Sequence, residues 1–343
     1  MKKLLSKNNR EYVIAVCLAV ILLLGLVVEN KFYMGVLIDM VYACILASAW
    51  NLMCGFTGQI SLGHAAFLGV GQYTCVLLFT KLGVTPWIGI LLGGLAAGLL
   101  AFLVGALTLR LKGPFFSLST IALATILQIF AVKFDWLTGG SSGMSVPYRP
   151  SLENLIFQSY KPYYLMFVVL LGLVLCLTTY ISRSRLGSNL VAIRENDVAA
   201  ASLGVKVFRS NVTTLMISAF LTGVAGCLYA QYTLFIDPVS SFNITVSTKA
   251  AIMSIFGGAG TVLGPIIGGL LLSPTETYLR TVIPSTYAGA YLIIYGVLLI
   301  FVILVVPDGI IGTYRHYKSK KTRPAGPPSG DADPTALTGA GNS

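Results

Sequence analysis

Charged residues are scarce in this sequence. Asp, Glu, Lys and Arg make up only 10% of the 343 residues, against about 25% in soluble domains. Hydrophobic residues make up 56%, and the mean hydropathy is +0.83. Several apolar runs, such as 12–28 and 86–109, have the length that a helix needs to cross a hydrocarbon core. The short alternating segments of a membrane β-barrel are missing. The composition therefore excludes a soluble domain and predicts an all-α polytopic membrane protein.

Motifs of catalysis and nucleotide binding are missing as well. The sequence has no Gly-x-x-x-x-Gly-Lys-Ser/Thr, His-Glu-x-x-His, Cys-x-x-Cys or Gly-x-Ser-x-Gly motif, and it has only two histidines. The six cysteines lie in or beside apolar runs, without the spacing of metal ligands. We therefore expect no catalytic residue, no metal and no cofactor, and the chain is not predicted to be an enzyme.

Carboxylates within the apolar runs are few. Asp39, Glu276 and Asp308 lie near the ends of predicted spans. Ion-coupled carriers generally need ionisable groups at membrane depth. The scarcity of such groups disfavours a proton-driven carrier and favours transport that is energised from outside this chain.

The apolar runs predict eight full spans with both termini in the cytoplasm. Basic residues concentrate in the head (1–11), the central loop (182–209) and the tail, and the positive-inside rule places all three on the cytoplasmic side. We interpret the net charge of +11 as topological bias and attraction to anionic lipid, not as nucleic-acid binding. A transmembrane domain is predicted over 12–312, and a tail that is first basic and then disordered over 313–343. The predicted spans are 12–28, 36–54, 61–80, 86–109, 115–133, 162–180, 210–232 and 286–306.

Two glycine-rich segments interrupt the apolar pattern. The cluster at 257–265, inside 246–273, predicts a broken helix or a re-entrant hairpin, and the count becomes ten spans if both halves cross fully. A second cluster occurs within 51–73. Interrupted segments in the two halves of a transporter indicate a translocation path, although close helix packing without substrate contact is an equal alternative. The candidate path residues are Gly58, Gln59, Ser61, Gly63, His64, Gly257, Gly258 and Gly260.

Two further interpretations concern single side chains near span ends. Lys249 lies in the apolar approach to the second cluster, and we interpret it as snorkelling to the outer interface. The alternative for Lys249 is a contact with a substrate carboxylate or a partner subunit. Trp50, Trp87 and Trp136 are interpreted as interfacial anchors.

The central loop, 182–209, is a polar stretch between two apolar runs, and it carries Arg183, Arg185, Arg194, Lys206 and Arg209. Its middle predicts one short amphipathic helix that ends at Gly204. A helix in a cytoplasmic loop between two spans is the form expected of a docking element for a soluble partner.

Several stretches in the right order resemble a known family. Residues 51–73, 110–120, 185–204 and 257–269 are similar to the membrane subunits of ATP-binding-cassette importers for branched-chain amino acids, and the resemblance covers about 35–312. It implies a permease of the bacterial inner membrane that works with two ATPase subunits, a second related permease and a periplasmic binding protein. The implied cargo is a small amino acid.

The resemblance also implies a coupling motif in the central loop. Importer permeases carry Glu-Ala-Ala-x-x-x-Gly, which docks on the ATPase, and the matching stretch here begins at Val198 and ends at Gly204. Val198 stands where the general motif has Glu, so the acidic contact is expected from a position just upstream. The candidate coupling residues are Arg194, Glu195, Asn196, Asp197, Ala199, Ala200 and Gly204.

Two alternatives remain open on the sequence. The same type of importer could carry urea, short amides or other amino acids. A self-sufficient secondary carrier belongs to another class and would transport without ATPase partners.

Overall fold

The computed structural model describes residues 7–111, 113–283, 293–294, 296–297 and 309–313. Most of these residues are helical. The longer helices are α1 (Lys7–Val27), α2 (Lys31–Trp50), α3 (His64–Leu82), α4 (Pro86–Thr108), α5 (Pro114–Lys133), α7 (Tyr160–Arg183), α8 (Arg185–Glu195), α10 (Val207–Thr233), α12 (Ile244–Gly258) and α13 (Gly264–Val282). The shorter elements are a π-helical turn (Asn51–Gly55), α6 (Asp135–Thr138), a 3₁₀ turn (Gly140–Ser142), β1 (Met144–Ser145), α9 (Asp197–Ser202), β2 (Phe235–Ile236) and α11 (Pro238–Ser241).

Six helices in the described part of the chain are long and apolar enough to cross a membrane. They match six of the eight predicted spans, which confirms an all-α polytopic membrane protein. The first predicted span corresponds to α1, whose apolar part is the shorter segment Ile14–Val27. The predicted span 286–306 lies mostly outside the described residues, as do the start of the head and the tail beyond 313. The six helices are Lys31–Gly55, His64–Leu82, Pro86–Thr108, Pro114–Lys133, Tyr160–Arg183 and Val207–Thr233.

One end of the bundle, here called the 184–206 end, carries the connection between α7 and α10. The connection between α2 and α3 lies at this end, because Arg194 Nη1 donates to the Gly55 carbonyl oxygen over 2.9 Å. The start of α5 lies at the same end, because Ser117 Oγ donates to the Ile60 carbonyl oxygen over 2.6 Å.

The opposite end, here called the 134–159 end, carries the connection between α5 and α7. Its strand β1 pairs antiparallel with β2, so that Met144 faces Ile236. Lys81 Nζ donates to the Trp136 carbonyl oxygen over 2.7 Å. Consecutive long helices therefore run in alternating directions between two opposite ends.

Small residues let α3, α4 and α10 approach closely at the centre of the bundle. A Cβ added to Gly71 would lie 2.6 Å from the backbone of Gly223, and one added to Gly93 would lie 2.4 Å from Cys227 Sγ. Such contacts are typical of membrane helices, which gain van der Waals energy by close backbone approach. These three helices form the rigid base on which the other elements pack.

Helices α12 and α13 form an antiparallel hairpin. Lys249 pairs with Glu276 far from the turn, and a Cβ on Gly257 would clash with the Gly264 carbonyl oxygen beside the turn. The chain reverses through Gly258 and Gly260, whose φ values of +125° and +75° suit glycine. The structure thus shows a break at the predicted glycines, with the two halves antiparallel. The 15 residues of α12 span about 22 Å, less than the ~30 Å hydrocarbon core.

Candidate coupling and translocation site

The loop at the 184–206 end contains two helices, where the sequence predicted one. The helix breaks at Asn196, whose backbone is extended at φ −161° and ψ 111°. Asn196 Oδ1 accepts hydrogen bonds from the backbone N–H groups of Val198 (3.0 Å) and Ala199 (2.9 Å). Asn196 is therefore the N-cap of α9. Its side chain accepts from backbone amides that would bond to helix carbonyls if the helix continued without a break. The prediction of a single helix was therefore wrong.

Helix α9 ends two residues before the predicted Gly204. Gly204 takes φ +85°, its N–H donates to Ala201 O over 2.9 Å, and the Val205 N–H donates to Ala200 O over 3.0 Å. This pair of bonds is a Schellman motif, which closes a helix with glycine in the left-handed conformation. It leaves Leu203 exposed at the tip of the loop.

The surface of α9 is apolar and open. Val198 is 63% exposed and Leu203 is 84% exposed, while Ala200 is buried against the rest of the chain. A groove of about 530 Å³ runs beside this helix. The groove is lined by Leu186, Asn189, Leu203, Gly204, Val205, Lys206, Arg209, Ser210 and Thr213. Exposed apolar groups beside a basic groove are suited to contact with a protein partner.

Arg194 points from the loop into the transmembrane domain. Its Nη1 donates to the Gly55 carbonyl oxygen, and a Cβ on Gly260 would lie only 2.3 Å from that nitrogen. A Cβ on Gly58 would lie 3.2 Å from Arg194 Cγ. Two glycines, Gly58 and Gly260, therefore leave the space that the arginine side chain occupies. Glu195 and Ala199 lie exposed on the loop, as Arg194 does, and Asp197 begins α9.

Asn51 links the π-helical turn to the tip of the hairpin. Its Nδ2 donates to the Thr261 carbonyl oxygen over 2.8 Å, and its Oδ1 accepts from the Gly260 N–H over 2.8 Å. A π-helical turn at the end of α2 places this side chain, and such turns often occur at functional positions. The sequence analysis missed Asn51, although a polar residue at the end of an apolar span, just before a glycine cluster, was a visible signal.

The candidate path residues lie in three groups. Gly58 and Gly260 meet at Arg194, and Gln59 lies beside them at the same end. Ser61, Gly63 and His64 are buried on the other side of the connection between α2 and α3. The remaining pair, Gly257 and Gly258, lies at the hairpin turn, where a Cβ on Gly258 would lie 3.2 Å from Ile311 Cβ.

His64 and Ser61 hold the start of α3 in place. His64 Nε2 lies 2.8 Å from Ser218 Oγ, which donates onward to the Ala49 carbonyl oxygen. The ring nitrogen must therefore carry the proton in this contact. Trp50 Nε1 donates to the Ser61 carbonyl oxygen over 2.8 Å, and Trp50 is buried. The prediction of an interfacial anchor was wrong for Trp50, because its indole N–H closes the connection between α2 and α3 inside the protein.

A charged cluster lies near the 134–159 end. Lys249 forms an ion pair with Glu276 across the hairpin, a partner that the sequence analysis did not identify. The Tyr229 hydroxyl donates to Asp39 Oδ1 over 3.3 Å. The sequence hid this cluster because its members come from four different helices.

The described residues form an antiparallel helical bundle with a glycine hairpin, and the loop is bonded to the bundle at Gly55, an architecture suited to a membrane transport component. Residues 32–303 match the family model of the branched-chain amino acid transport system permease component. The chain belongs to this family. It is a transport component and not an enzyme.

Individual relatives agree with the family match. The chain is 28% identical over 297 residues to the high-affinity branched-chain amino acid transport permease LivM of Escherichia coli, covering 80% of this chain and 68% of LivM. It is 27% identical to LivH of Salmonella typhimurium, over 82% of this chain and 95% of LivH. It is 28% identical to BraD of Pseudomonas aeruginosa, over 81% of this chain and 94% of BraD. No solved structure matches the chain.

Proposed function

We propose that this chain forms one half of the path by which an ATP-driven importer carries branched-chain amino acids across a bacterial inner membrane. A second related permease completes the path, two ATPase subunits hydrolyse ATP, and a periplasmic binding protein delivers the amino acid. No nucleic acid takes part. The observation that carries the proposal is the hydrogen bond from Arg194 to Gly55, which joins an exposed loop to the glycine-rich elements of the membrane domain.

The proposed orientation places the 184–206 end and both termini in the cytoplasm. The loop and its flanks carry five basic residues, which favours the cytoplasmic side by the positive-inside rule. The 134–159 end then faces the periplasm, where the binding protein delivers its cargo. The five basic residues are Arg183, Arg185, Arg194, Lys206 and Arg209.

The loop is proposed to dock on an ATPase through α8 and α9. The exposed apolar groups of α9 and the groove beside it supply the contact area, and Glu195 and Asp197 supply acidic groups upstream of Val198. When ATP drives the ATPases together, α8 moves, and Arg194 carries this movement to Gly55. The full set of proposed coupling residues is Arg194, Glu195, Asn196, Asp197, Ala199, Ala200 and Gly204.

The glycine-rich elements are proposed to form the moving joint of the path. Close backbone contacts at Gly55, Gly257 and Gly260 let the elements shift without displacing side chains. The path residues proposed from the sequence carry no fixed charge, which suits a zwitterion with an apolar side chain because fixed charges would trap its ends. They are Gly58, Gln59, Ser61, Gly63, His64, Gly257, Gly258 and Gly260.

Reconstitution tests the proposal. The complete importer, assembled in liposomes with its ATPases, second permease and binding protein, is expected to take up labelled leucine only when ATP is present on the ATPase side. Unlabelled isoleucine and valine should compete with leucine, whereas urea and acetamide should not. Uptake by the purified chain alone under an ion gradient, or uptake of urea in preference to leucine, would overturn the proposal.

A further inference from the structure

Helices α1 and α7 pack closely near the 134–159 end and leave a groove between them farther along. A Cβ added to Gly25 of α1 would overlap the ring of Tyr164, whose hydroxyl donates to the Ile21 carbonyl oxygen. The next contact joins Leu18 and Gly172, since a Cβ on this glycine would lie 3.8 Å from Leu18 Cδ1. From there a groove of about 610 Å³ opens between the two antiparallel helices towards the 184–206 end.

The groove is apolar for most of its length. Ile14 and Leu18 of α1 form one wall, and Leu175 of α7 is part of the other. Its lining on α7 runs from Gly172 to the end of the helix at Arg183, which is about 16 Å along the helix axis. This length is close to half of the ~30 Å hydrocarbon core. The groove therefore has the depth of one leaflet of a bilayer.

The end of the groove nearest the 184–206 end, here called its mouth, is basic. Arg183 and Ser184 line the mouth, and none of the groove's lining residues in the described part of the chain is acidic. Helix α1 begins at the same end, with Lys7 and Arg10 in its first turn. A guanidinium has several N–H donors in a planar fork, so it can bind a phosphate beside another partner. The mouth is therefore suited to an anionic phosphate group.

One hydroxyl of the groove lining has no partner. Thr179 Oγ1 is buried and forms no hydrogen bond within the residues that the structure describes. Its neighbour Thr178 donates to the Val174 carbonyl oxygen over 2.7 Å, a bond that helical threonines often form. Thr179 lies one turn before Arg183, about 6 Å farther from the mouth. Threonine adopts two χ1 rotamers in helices, so this hydroxyl can turn to a ligand in the groove.

We propose that this groove binds an anionic phospholipid of the cytoplasmic leaflet, with one acyl chain between α1 and α7. The lipid phosphate pairs with Arg183, and Thr179 donates to an ester carbonyl oxygen just below the phosphate. Cation, hydroxyl and apolar wall follow one another along the groove in the order of phosphate, ester and acyl chain in a phospholipid. The choice of leaflet rests on the orientation given in the proposed function, whereas the site itself does not.

The position of α1 favours a lipid over a protein partner. Helix α1 packs mainly against α7, and it exposes Val16 and Val20 beside the groove. Its apolar part, Ile14–Val27, is shorter than any of the six spanning helices. An acyl chain in the groove would supply apolar contacts that this short helix lacks, and the basic mouth would attract an anionic headgroup. The lipid would thus join the first helix to the rest of the domain.

Photo-crosslinking with a lipid probe tests the site. The probe is phosphatidylglycerol with a diazirine on one acyl chain, and it is titrated into the complete importer in mild detergent. After irradiation, peptide mass spectrometry should find saturable labelling at 14–18 and 172–180. Unlabelled phosphatidylglycerol should compete several-fold better than phosphatidylcholine, because only the former is anionic. Glycerol phosphate, which has no acyl chain, should not compete.

Two substitutions address the two halves of the site. Arg183→Gln is expected to weaken probe binding about tenfold, since it removes a charge-assisted hydrogen bond. Cys176→Trp places a large ring in the groove, which Cys176 lines, and should abolish the saturable labelling. The controls are Arg185→Gln, an exposed arginine outside the lining, and Leu173→Trp, an exposed position of α7 outside the lining. Both controls should bind the probe as the unaltered complex does.

The proposal is overturned if labelling of the groove peptides does not saturate. It is also overturned if Arg183→Gln and Arg185→Gln weaken the labelling equally, which would indicate general surface charge, or if another importer subunit covers the groove and excludes the probe. Gel filtration checks that each variant assembles, and Arg183→Gln alone decides the matter if Cys176→Trp does not. Leucine uptake by the unaltered importer is measured separately. Saturable labelling without uptake would refute only the proposed function, and uptake without saturable labelling would refute only this site.

Discussion

Arg194 and Gly55 are separated by 139 residues in the sequence, yet the guanidinium of one donates to the carbonyl oxygen of the other over 2.9 Å. The arginine comes from the loop at the 184–206 end, and the glycine closes the π-helical turn after α2. A charged side chain bonded to a backbone carbonyl in a slot of glycines is a stiff connection. Under the proposed function, this bond transmits movement of the loop to the membrane domain.

Removing this bond should uncouple transport from ATP hydrolysis. Arg194→Ala is expected to lower leucine uptake by the complete importer about tenfold or more, since one charge-assisted hydrogen bond contributes about 1.5–3 kcal/mol. ATP hydrolysis by the assembled complex should persist. Leucine uptake and phosphate release are measured on the same liposomes, and together they give the ratio of transport to ATP hydrolysis.

Arg185→Ala is the matched control, because Arg185 lies exposed at the start of the same helix α8. It should keep the ratio of uptake to hydrolysis. Equal loss of coupling in both variants would show that loop charge, and not the bond to Gly55, matters.

Gly260 is expected to tolerate no side chain. Gly260→Ala places a Cβ 2.3 Å from Arg194 Nη1, in addition to the strain of φ +75°. Gly83→Ala carries left-handed backbone strain at φ +65°, with nothing within 4 Å. Both variants should lose about 1–2 kcal/mol of stability from the left-handed backbone. Only Gly260→Ala should also lose coupled uptake, and identical uptake in the two variants would contradict this account of the slot.

Asn51 should stabilise the contact between α2 and the hairpin. Asn51→Ala removes two hydrogen bonds and leaves the Gly260 N–H and the Thr261 carbonyl without them. Leaving buried polar groups unpaired costs about 1–3 kcal/mol each. Thermal unfolding of the purified complex should therefore begin at a clearly lower temperature. Asn154→Ala, which removes one exposed bond of 3.3 Å, should leave the melting temperature unchanged, and a similar drop in both variants would argue against a special role for Asn51.

The Lys249–Glu276 pair should stabilise the hairpin. Lys249→Gln leaves Glu276 charged without its partner, and we expect a loss of about 1–3 kcal/mol. The value lies below that of a fully buried pair because the Lys249 side chain is 37% exposed. The exchange Lys249→Glu with Glu276→Lys should restore most of the melting temperature. No recovery in the exchanged variant would show that the two residues act separately.

The membrane helices were predictable because a bilayer allows few backbone structures to cross it. A long apolar run must bond its backbone internally and therefore forms a helix, so six spans agree with the structure. The hairpin was predictable as a break because Gly257, Gly258 and Gly260 disfavour a continuous helix. In these cases the physical cause is local in the sequence.

Features that depend on distant partners could not be predicted in the same way. The ion pair of Lys249 could not be predicted because Glu276 lies 27 residues away on another helix. The break at Asn196 depends on a choice between helix continuation and side-chain capping, which differ by only about 1 kcal/mol. Arg194 was predicted as a coupling residue. The direction of its side chain into the membrane domain depends on where Gly260 lies in the fold, and residue spacing in the sequence does not give that position.

The central claim is that ATPase movement enters this chain at the loop of the 184–206 end. The most direct measurement is photo-crosslinking of the complete importer with a benzophenone amino acid placed at Val198 or at Trp136, which are exposed at opposite ends of the bundle. The account predicts crosslinks to an ATPase subunit from position 198 and none to an ATPase from position 136. An ATPase crosslink from position 136, with none from position 198, would contradict it.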